Sequence, residues 1–291
     1  MLTYYIVVPI IYLLSYIPTG ILYRFAHIIA SILNKIVGYR RKVVINNVRN
    51  SFPEKSEKEI QAIAKESYLH LAYRIVESIR CYGISKEEIE DRISIKNIEA
   101  FDECYKQGRH IVQMVGHIGP WEFDTYKLSL ICKHKLYAIV SKVSNPHFNN
   151  LIQRTRGRLG MHLIFMQDSK KFFETPLPEP SLVTFICDQS PSNPDRAHWS
   201  NFLHRDTAFF TGAERYAKLH NAVVIFTKVT MNKKEGHYIG EFIKITDTPN
   251  ETAPGEITEK FVRLLEQQIQ ETPADWLWSH KRWKHKRNNN Q

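Results

Sequence analysis

The chain reads as an α/β protein, a mostly parallel central sheet flanked by helices, with an N-terminal membrane-anchoring helical region. Three observations predict this. The first 23 residues carry no charged side chain, residues 39–95 keep a helical period, and from about residue 96 short apolar runs alternate with helical patterns. At 291 residues the chain is long enough for one large domain with accessory helices. The expected organisation is an anchoring segment, 1–38, and then a domain, 39–291, helical over 39–95 and α/β over 96–291.

Tyr4 to Tyr23 is dominated by Ile, Val, Leu and Tyr. A soluble helix so apolar all round would be unusual, which favours membrane insertion. A cleaved signal peptide fits poorly, because there is no basic n-region and no small-residue cleavage site. Pro9, Pro18 and Gly20 interrupt the run and a second apolar stretch comes at 21–37, so a shallow monotopic hairpin competes with a single span. Arg24, Lys35, Arg40, Arg41 and Lys42 all lie after the apolar segment, which by the positive-inside rule keeps the domain on the cytoplasmic side, at the inner leaflet. The net charge of +10 suits an anionic lipid surface, where each cation is worth about 1 kcal/mol. Nucleic acid is the competing partner for a basic chain; the apolar N-terminus and the lack of a nucleic-acid motif weigh against it.

Ser56-Glu57-Lys58-Glu59 forms a capping box for a helix in which Ile60, Ile63, Ala64 and Tyr68 recur at helical spacing. Leu71, Ile75 and Ile79 continue this stripe, which reads as core rather than ligand site. Strands are expected at Ile111–Val115, Leu136–Val140, Leu182–Cys187 and Val223–Val229. Helices are expected from Trp121, at Phe148–Leu159, at Thr211–His220 and at Ile257–Ile269. Cys81, Cys104, Cys132 and Cys187 have no metal-like spacing, and buried free thiols in a reducing compartment are preferred to a disulfide. The polar tail 288–291 is expected to fray.

His117-Ile-Gly-Pro-Trp-Glu122 is the most informative stretch. Residues five apart do not face one another on a helix or a strand, but a strand–turn–helix, with Pro120 in the first helical turn, brings them together. On that reading His117 sits at a strand end with Glu122 close enough to share a hydrogen bond. An imidazole and a carboxylate are the minimum for general-base catalysis on a hydroxyl, the carboxylate fixing the tautomer and steadying the imidazolium. The spacing alone is weak, since it also describes an ordinary polar turn. In a parallel sheet ligands bind beyond the C-terminal strand ends, where both His117 and Asp188 are expected to fall.

Gly116 to Glu122 resembles the His-x4-Asp/Glu motif of the lipid A late acyltransferases, a branch of the lysophospholipid acyltransferase superfamily. Further stretches resemble the family in order: Asn46 to Pro53, Asn145-Pro146 before Arg154 to Arg158, Asp188 to Pro191, Phe202-Leu203 with Thr207 to Gly212, and Pro273 to Lys284. The resemblance implies a membrane-bound O-acyltransferase of the inner membrane that moves an acyl chain from a thioester, usually on acyl carrier protein, to a hydroxyl of a lipid A precursor, a phosphorylated glycolipid. It implies His117 as base and Glu122 as its orienting partner. Arg156 or Arg158 is implied as the cation for the oxyanion or a head-group phosphate. Asp188-Gln189 resembles the family's Asp-Gln pair, a catalytic carboxylate or a structural brace for the loops. Phe209 and Phe210 would line an acyl channel and Gly212 would permit close backbone approach, although the aromatics equally suit plain core.

His280 to Arg287 interleaves cations with an aromatic, as suits an anionic membrane surface or a phosphorylated glycolipid, and Trp276, Trp278 and Trp283 are expected to dock there. There is no Gly-x-Ser-x-Gly elbow, no cysteine in a catalytic setting and no metal motif, so direct transfer without acyl-enzyme, cofactor or metal is expected. Two departures from the best-known lipid A members, Ile118 to Trp121 and Asp188 to Pro191, keep an amino-acid lipid or phosphatidylinositol mannoside acceptor with an acyl-CoA donor open.

Overall fold

The computed structural model describes residues 2–143, 145–158, 160–232 and 234–287; the tail expected to fray, and Leu159, lie outside them. The apolar N-terminal run is two helices, α1 (Leu2–Ser15) and α2 (Thr19–Ser31), broken before Pro18. Proline cannot continue the hydrogen-bond ladder and biases the residue before it away from helix. Among the described residues no single helix is long and apolar enough to cross a membrane.

The apolar residues of α2 lie on two faces. Leu22, Tyr23, Ala26 and Ala30 are buried against the protein, while Ile21, Phe25 and Ile28 are exposed. Tyr23 and Tyr238 both donate to the buried carboxylate of Glu77, which ties α2 into the main body. Residues 1–38 are therefore not wholly separable from the rest of the chain, because α2 contributes to the same core as the sheet.

A π-helical turn (Ile32–Ile36) leads to α3 (Arg41–Ser51) and the long α4 (Glu57–Arg80), whose start carries the Ser56–Glu59 capping box. Ile60, Ala64 and Tyr68 are core, as their spacing predicts. Farther along, the buried positions shift to Ala72, Tyr73 and Val76, and Ile75 is 37% exposed. The stripe thus leaves the core halfway along α4. The buried row runs Ile60, Ala64, Tyr68, Ala72 and Val76, and Leu71 and Ile75 each stand one residue before it, about 100° around the helix.

The chain then forms α5 (Lys86–Arg92), β1 (Ile93–Lys96), α6 (Glu99–Lys106), β2 (Ile111–Val115), α7 (Trp121–Ile131), β3 (Lys135–Val140), α8 (Pro146–Gly157), β4 (Met161–Phe165), α9 (Ser169–Glu174) and β5 (Ser181–Ile186). The antiparallel hairpin β6 (His198–Phe202) and β7 (Arg205–Phe209) stands apart from the main sheet. Beyond it lie α10 (Gly212–Leu219), β8 (Val223–Met231), β9 (Tyr238–Thr246) and α11 (Glu256–Glu271).

The sheet runs β1-β9-β8-β2-β5-β3-β4, parallel at every junction except β8–β9. Central β2 is buried along its whole length, as expected of a strand covered by helices on both faces. Strands β1, β4 and β9 and the β6–β7 hairpin add to the four strands expected from sequence. All four cysteines are free thiols, Cys81 and Cys187 buried and the other two half-buried.

Candidate active site

Sheet register builds the site. Strands β2 and β5 are parallel neighbours with Val115 opposite Ile186, so the residues two beyond each, His117 and Asp188, emerge side by side. At Gly116, between strand and histidine, a β-carbon would lie 2.6 Å from the end of the Leu265 side chain of α11, which would have to shift. Gly119 turns the chain with φ of 73°, and a β-carbon on it would press Val229 at 2.7 Å. Pro120 then sits at the cap of α7, one position before its first residue.

His117 Nδ1 lies 2.6 Å from Asp188 Oδ1, and the backbone N–H of His117 donates to Oδ2 at 2.8 Å. The indole N–H of Trp276 donates to the same Oδ2 at 2.7 Å. Burial of Asp188 works to raise its pKa, but the His117 charge and these donors outweigh it and hold the carboxyl at about 2. An ionised Asp188 accepting at Nδ1 fixes that nitrogen as the protonated one, so the lone pair of the neutral ring lies on Nε2. There it faces the side-chain amide of Gln189 at 3.1 Å.

This arrangement corrects the expected pairing. Glu122, the second residue of α7, takes Arg156 rather than His117: Arg156 Nε donates to Oε2 at 3.0 Å and Nη2 to Oε1. Five residues across the Gly-Pro break carry Glu122 away onto the α8 side, while register brings Asp188 to the imidazole. Burial works against the Arg156 charge, yet Glu122 raises its pKa on balance. Arg158 is not at the site in the same sense; its guanidinium donates to the carbonyls of Cys81 and Tyr82 and so caps the end of α4.

The remaining candidates separate clearly. Phe209 is fully buried, with the Arg282 guanidinium 4.4 Å from its ring centre, and is core rather than channel. Phe210 lines the open groove beside His117. A β-carbon on Gly212 would make only ordinary contact, 3.9 Å from Phe173, so no close approach requires this glycine. The expected substrate-proximal loop is largely the β6–β7 hairpin and the start of α10. Of the tryptophans expected to dock at a membrane, Trp276 and Trp278 are buried, and Trp283 is half-buried, packs against the core and donates to Thr207 at 2.8 Å.

Motifs distant in sequence converge here. Asn47 donates to the carbonyls of Trp278 and His280, the Ser190 N–H donates to His280, and Arg282 donates to the Ala208 carbonyl. His280 is pushed down to about 4, by burial and then by Arg282 and other cations against the pull of Asp188, so it accepts as a neutral ring. Arg74 is the residue sequence reasoning missed. It is 5% exposed on α4, its Nη1 has no hydrogen-bond partner, and it shares a small cleft with His117 and Trp121. The only cue was an arginine interrupting an apolar helix face.

Two cavities lie on the α7–α8 side of the site, the larger one reaching His117. A groove of about 430 Å3 is lined by His117, Trp121, Arg156, Gln189, Phe210 and Lys284, among others. Beneath it an inner cavity of about 50 Å3 shares Trp121, Ile139, Val140, Arg156 and Ile186 and ends at Gln113, Asp124 and Thr227. The described residues hold no cluster of His, Cys, Asp and Glu suited to a metal.

The sequence model for bacterial lipid A biosynthesis acyltransferases matches residues 1–285. The chain is 23% identical over 187 residues to a lipid A biosynthesis myristoyltransferase of Escherichia coli (strain K12) and to lipid A biosynthesis acyltransferase 1 of Shigella flexneri. Each alignment covers 64% of this chain and 57% of the relative, so the chain spans a little over half the length of the curated relatives it matches.

Proposed function

Since the chain belongs to the bacterial lipid A biosynthesis acyltransferase family, we propose that it transfers an acyl chain from a thioester to a hydroxyl of a lipid A precursor, with His117 as general base. The observation that carries this is the Asp188–His117 hydrogen bond of 2.6 Å, which places a basic Nε2 at the wall of a large groove. A pocket of about 430 Å3 falls in the usual range for ligand sites.

In this mechanism the acceptor hydroxyl displaces the Gln189 amide from Nε2 and gives its proton to the imidazole as its oxygen bonds to the thioester carbonyl carbon. Asp188 stabilises the imidazolium, as an ionised carboxylate should. The tetrahedral oxyanion collapses, the carbon–sulfur bond breaks, and the departing thiolate takes the proton from Nε2. The products are an ester and a free thiol. Arg156, held by Glu122 at the groove wall, and the freed Gln189 amide are the donors positioned for the oxyanion. The donor chain lies in the groove and its tip reaches the inner cavity, while Lys284 at the rim meets the phosphate of the carrier arm.

The donor in this reading is acyl carrier protein, an acidic partner suited to a chain of net charge +10. The enzyme works at the cytoplasmic face of the inner membrane, seated by the exposed apolar faces of α1 and α2. The test is transfer from acyl carrier protein to a tetra-acylated, bis-phosphorylated glucosamine disaccharide, read by mass spectrometry, with matched coenzyme A thioesters as the alternative donor. Carrier-dependent kcat/KM should fall steeply with salt and coenzyme A-dependent kcat/KM less so. Equal efficiency of the two donors at every ionic strength would redirect the donor assignment to coenzyme A, and absence of any transfer would reject the function.

A further inference from the structure

A second groove meets the site from the opposite side of Trp121. It is about 550 Å3, bounded by α1, α4 and the segment 277–280. Its wall is apolar, with Ile11 of α1, the α4 residues Leu71, Ile75 and Ile79, and Leu277. Trp121 and Gln189 line both this groove and the one holding the donor chain. Its floor, Leu71, Arg74 and Trp121, continues into the cleft that contains His117. The imidazole therefore stands between two separate approaches.

The mouths differ in chemistry. The donor groove has Lys284 and Ser192 exposed at its rim. The second groove opens beside an apolar exterior: Ile10 and Leu13 of α1 and Tyr16 just after it are 49%, 73% and 73% exposed, and Tyr39 and Ile75 of the groove lining are exposed as well. Large contiguous apolar surface of this kind marks an interface with lipid or protein. One cation, Arg40, stands exposed at the mouth and donates to the Ser279 carbonyl, and another, Arg74, lies buried at the floor, its Nη1 3.9 Å from the Glu77 carboxylate and without a hydrogen-bond partner. An apolar trough with a cation at its lip fits an alkyl chain hanging from an anionic head group.

We propose that this α1–α4 groove holds the acceptor lipid's own acyl chain, entering from the bilayer side, so that a hydroxyl on that chain reaches His117 from the face opposite the thioester. The assignment rests on the transfer reaction proposed above and adds the path of the second substrate. It accounts for a feature the donor groove leaves unused, namely that Leu71, Ile75 and Ile79 depart from the core and line a trough. Head-group phosphate pairs with Arg40. The polar group at the chain's reacting end meets Arg74.

The test separates the two approaches kinetically in the full chain. Ile75→Trp, at a half-open position, should fill the trough and raise KM for the tetra-acylated disaccharide at least tenfold, with KM for acyl carrier protein thioester within twofold. Ile75→Asp, which adds charge instead of bulk, should do the same, and Leu219→Trp on the exposed end of α10 should change neither. A rise in donor KM, or no change in acceptor KM for either folded variant, overturns the groove assignment while wild-type transfer leaves the proposed function standing. If the wild type transfers nothing, photolabelling in phosphatidylglycerol vesicles doped with a diazirine-tailed phosphatidylglycerol decides the groove independently. Label within residues 71–80 of α4, lost in Ile75→Trp, supports it; label confined to α1 overturns it.

Discussion

Two histidine–aspartate pairs lie on either side of one small cleft, and only one has the geometry of a base. His117 meets Asp188 at 2.6 Å and His70 meets Asp275 at 2.8 Å, so proximity does not distinguish them. Their surroundings do. Asp188 aligns His117 with hydrogen bonds to both its ring and its backbone N–H, and Nε2 opens onto a groove through a displaceable amide. The His70–Asp275 contact lacks hydrogen-bond alignment, and His70 Nε2 has Glu66 at 3.9 Å. Burial lowers the His70 pKa, but Asp275 and Glu66 outweigh it and the net shift is upward. The contact favours the charged form of His70 and joins α4 to the turn 273–275.

The largest expected effects break this contrast directly. His117→Ala and Asp188→Asn should each lower acyl transfer at least about a hundredfold with little change in unfolding temperature, the asparagine variant because it can no longer fix the tautomer or balance the imidazolium. His70→Ala should retain transfer to within about tenfold. Near-normal turnover by folded His117→Ala would remove the base from the mechanism, and a comparable loss in His70→Ala would erase the distinction between the pairs.

Glu122 sharpens the comparison, because it grips Arg156 while His117 has Asp188 as its carboxylate. Glu122→Gln would leave a largely buried guanidinium without its counter-charge, a change that costs about 3 kcal/mol in buried pairs. Activity should fall through misplaced Arg156, with the low-pH limb of the kcat/KM profile unmoved. A shift of that limb, checked by a full pH–rate profile, would return Glu122 to the role of partner to His117.

A smaller effect is expected from the second pair on stability alone. His70→Ala removes the link between α4 and the turn 273–275, and should cost about 1–3 kcal/mol in urea unfolding. Because His70 is a cation-favouring site, the loss should be greatest at low pH and shrink as pH rises through its folded pKa, where the wild type forfeits the same contact. A pH-independent difference would mean that His70 contributes by packing and not by charge.

What was legible in the sequence tracks how local the cause is. His117 at a strand end, the capping box at Ser56 and the strand Ile111–Val115 arise from local pattern, and the structure has them. The partner of His117 is set by the β2–β5 register, a pairing over 70 residues apart that no spacing encodes, so the nearer Glu122 was the natural but misplaced choice. The β6–β7 hairpin turns at Leu203-His204, both with positive φ and neither a turn-forming type. A tertiary bond from the Leu203 N–H to Glu266 holds that turn. The tryptophans near the C-terminus read as surface anchors because charge surrounds them, yet their indoles pack against the site. Lipid-facing and core-facing residues are both apolar, so sequence could not separate the two faces of α2 or the two halves of α4.

The smallest effect concerns the floor of the inner cavity. Asp124 on α7 is buried beside Gln113, and Oδ1 has no hydrogen-bond partner. Burial raises its carboxyl to about 7, although the Gln113 hydrogen bond lowers it somewhat. A folded pKa above the unfolded value favours the protonated form, so its stabilisation is complete below the unfolded pKa, near 4, and disappears as pH rises through 7. Asp124→Asn keeps the shape and cannot ionise. It should therefore gain on the wild type between pH 5 and pH 8, by at least about 2 °C in Tm for a protein of this size. His117 and Asp188 are untouched, so transfer at pH 6 should change by less than about threefold. An asparagine variant whose Tm difference from wild type is the same at pH 5 and pH 8 would mean that Asp124 is already ionised at the lower pH, hydrated through the cavity, and that this floor is wet rather than dry.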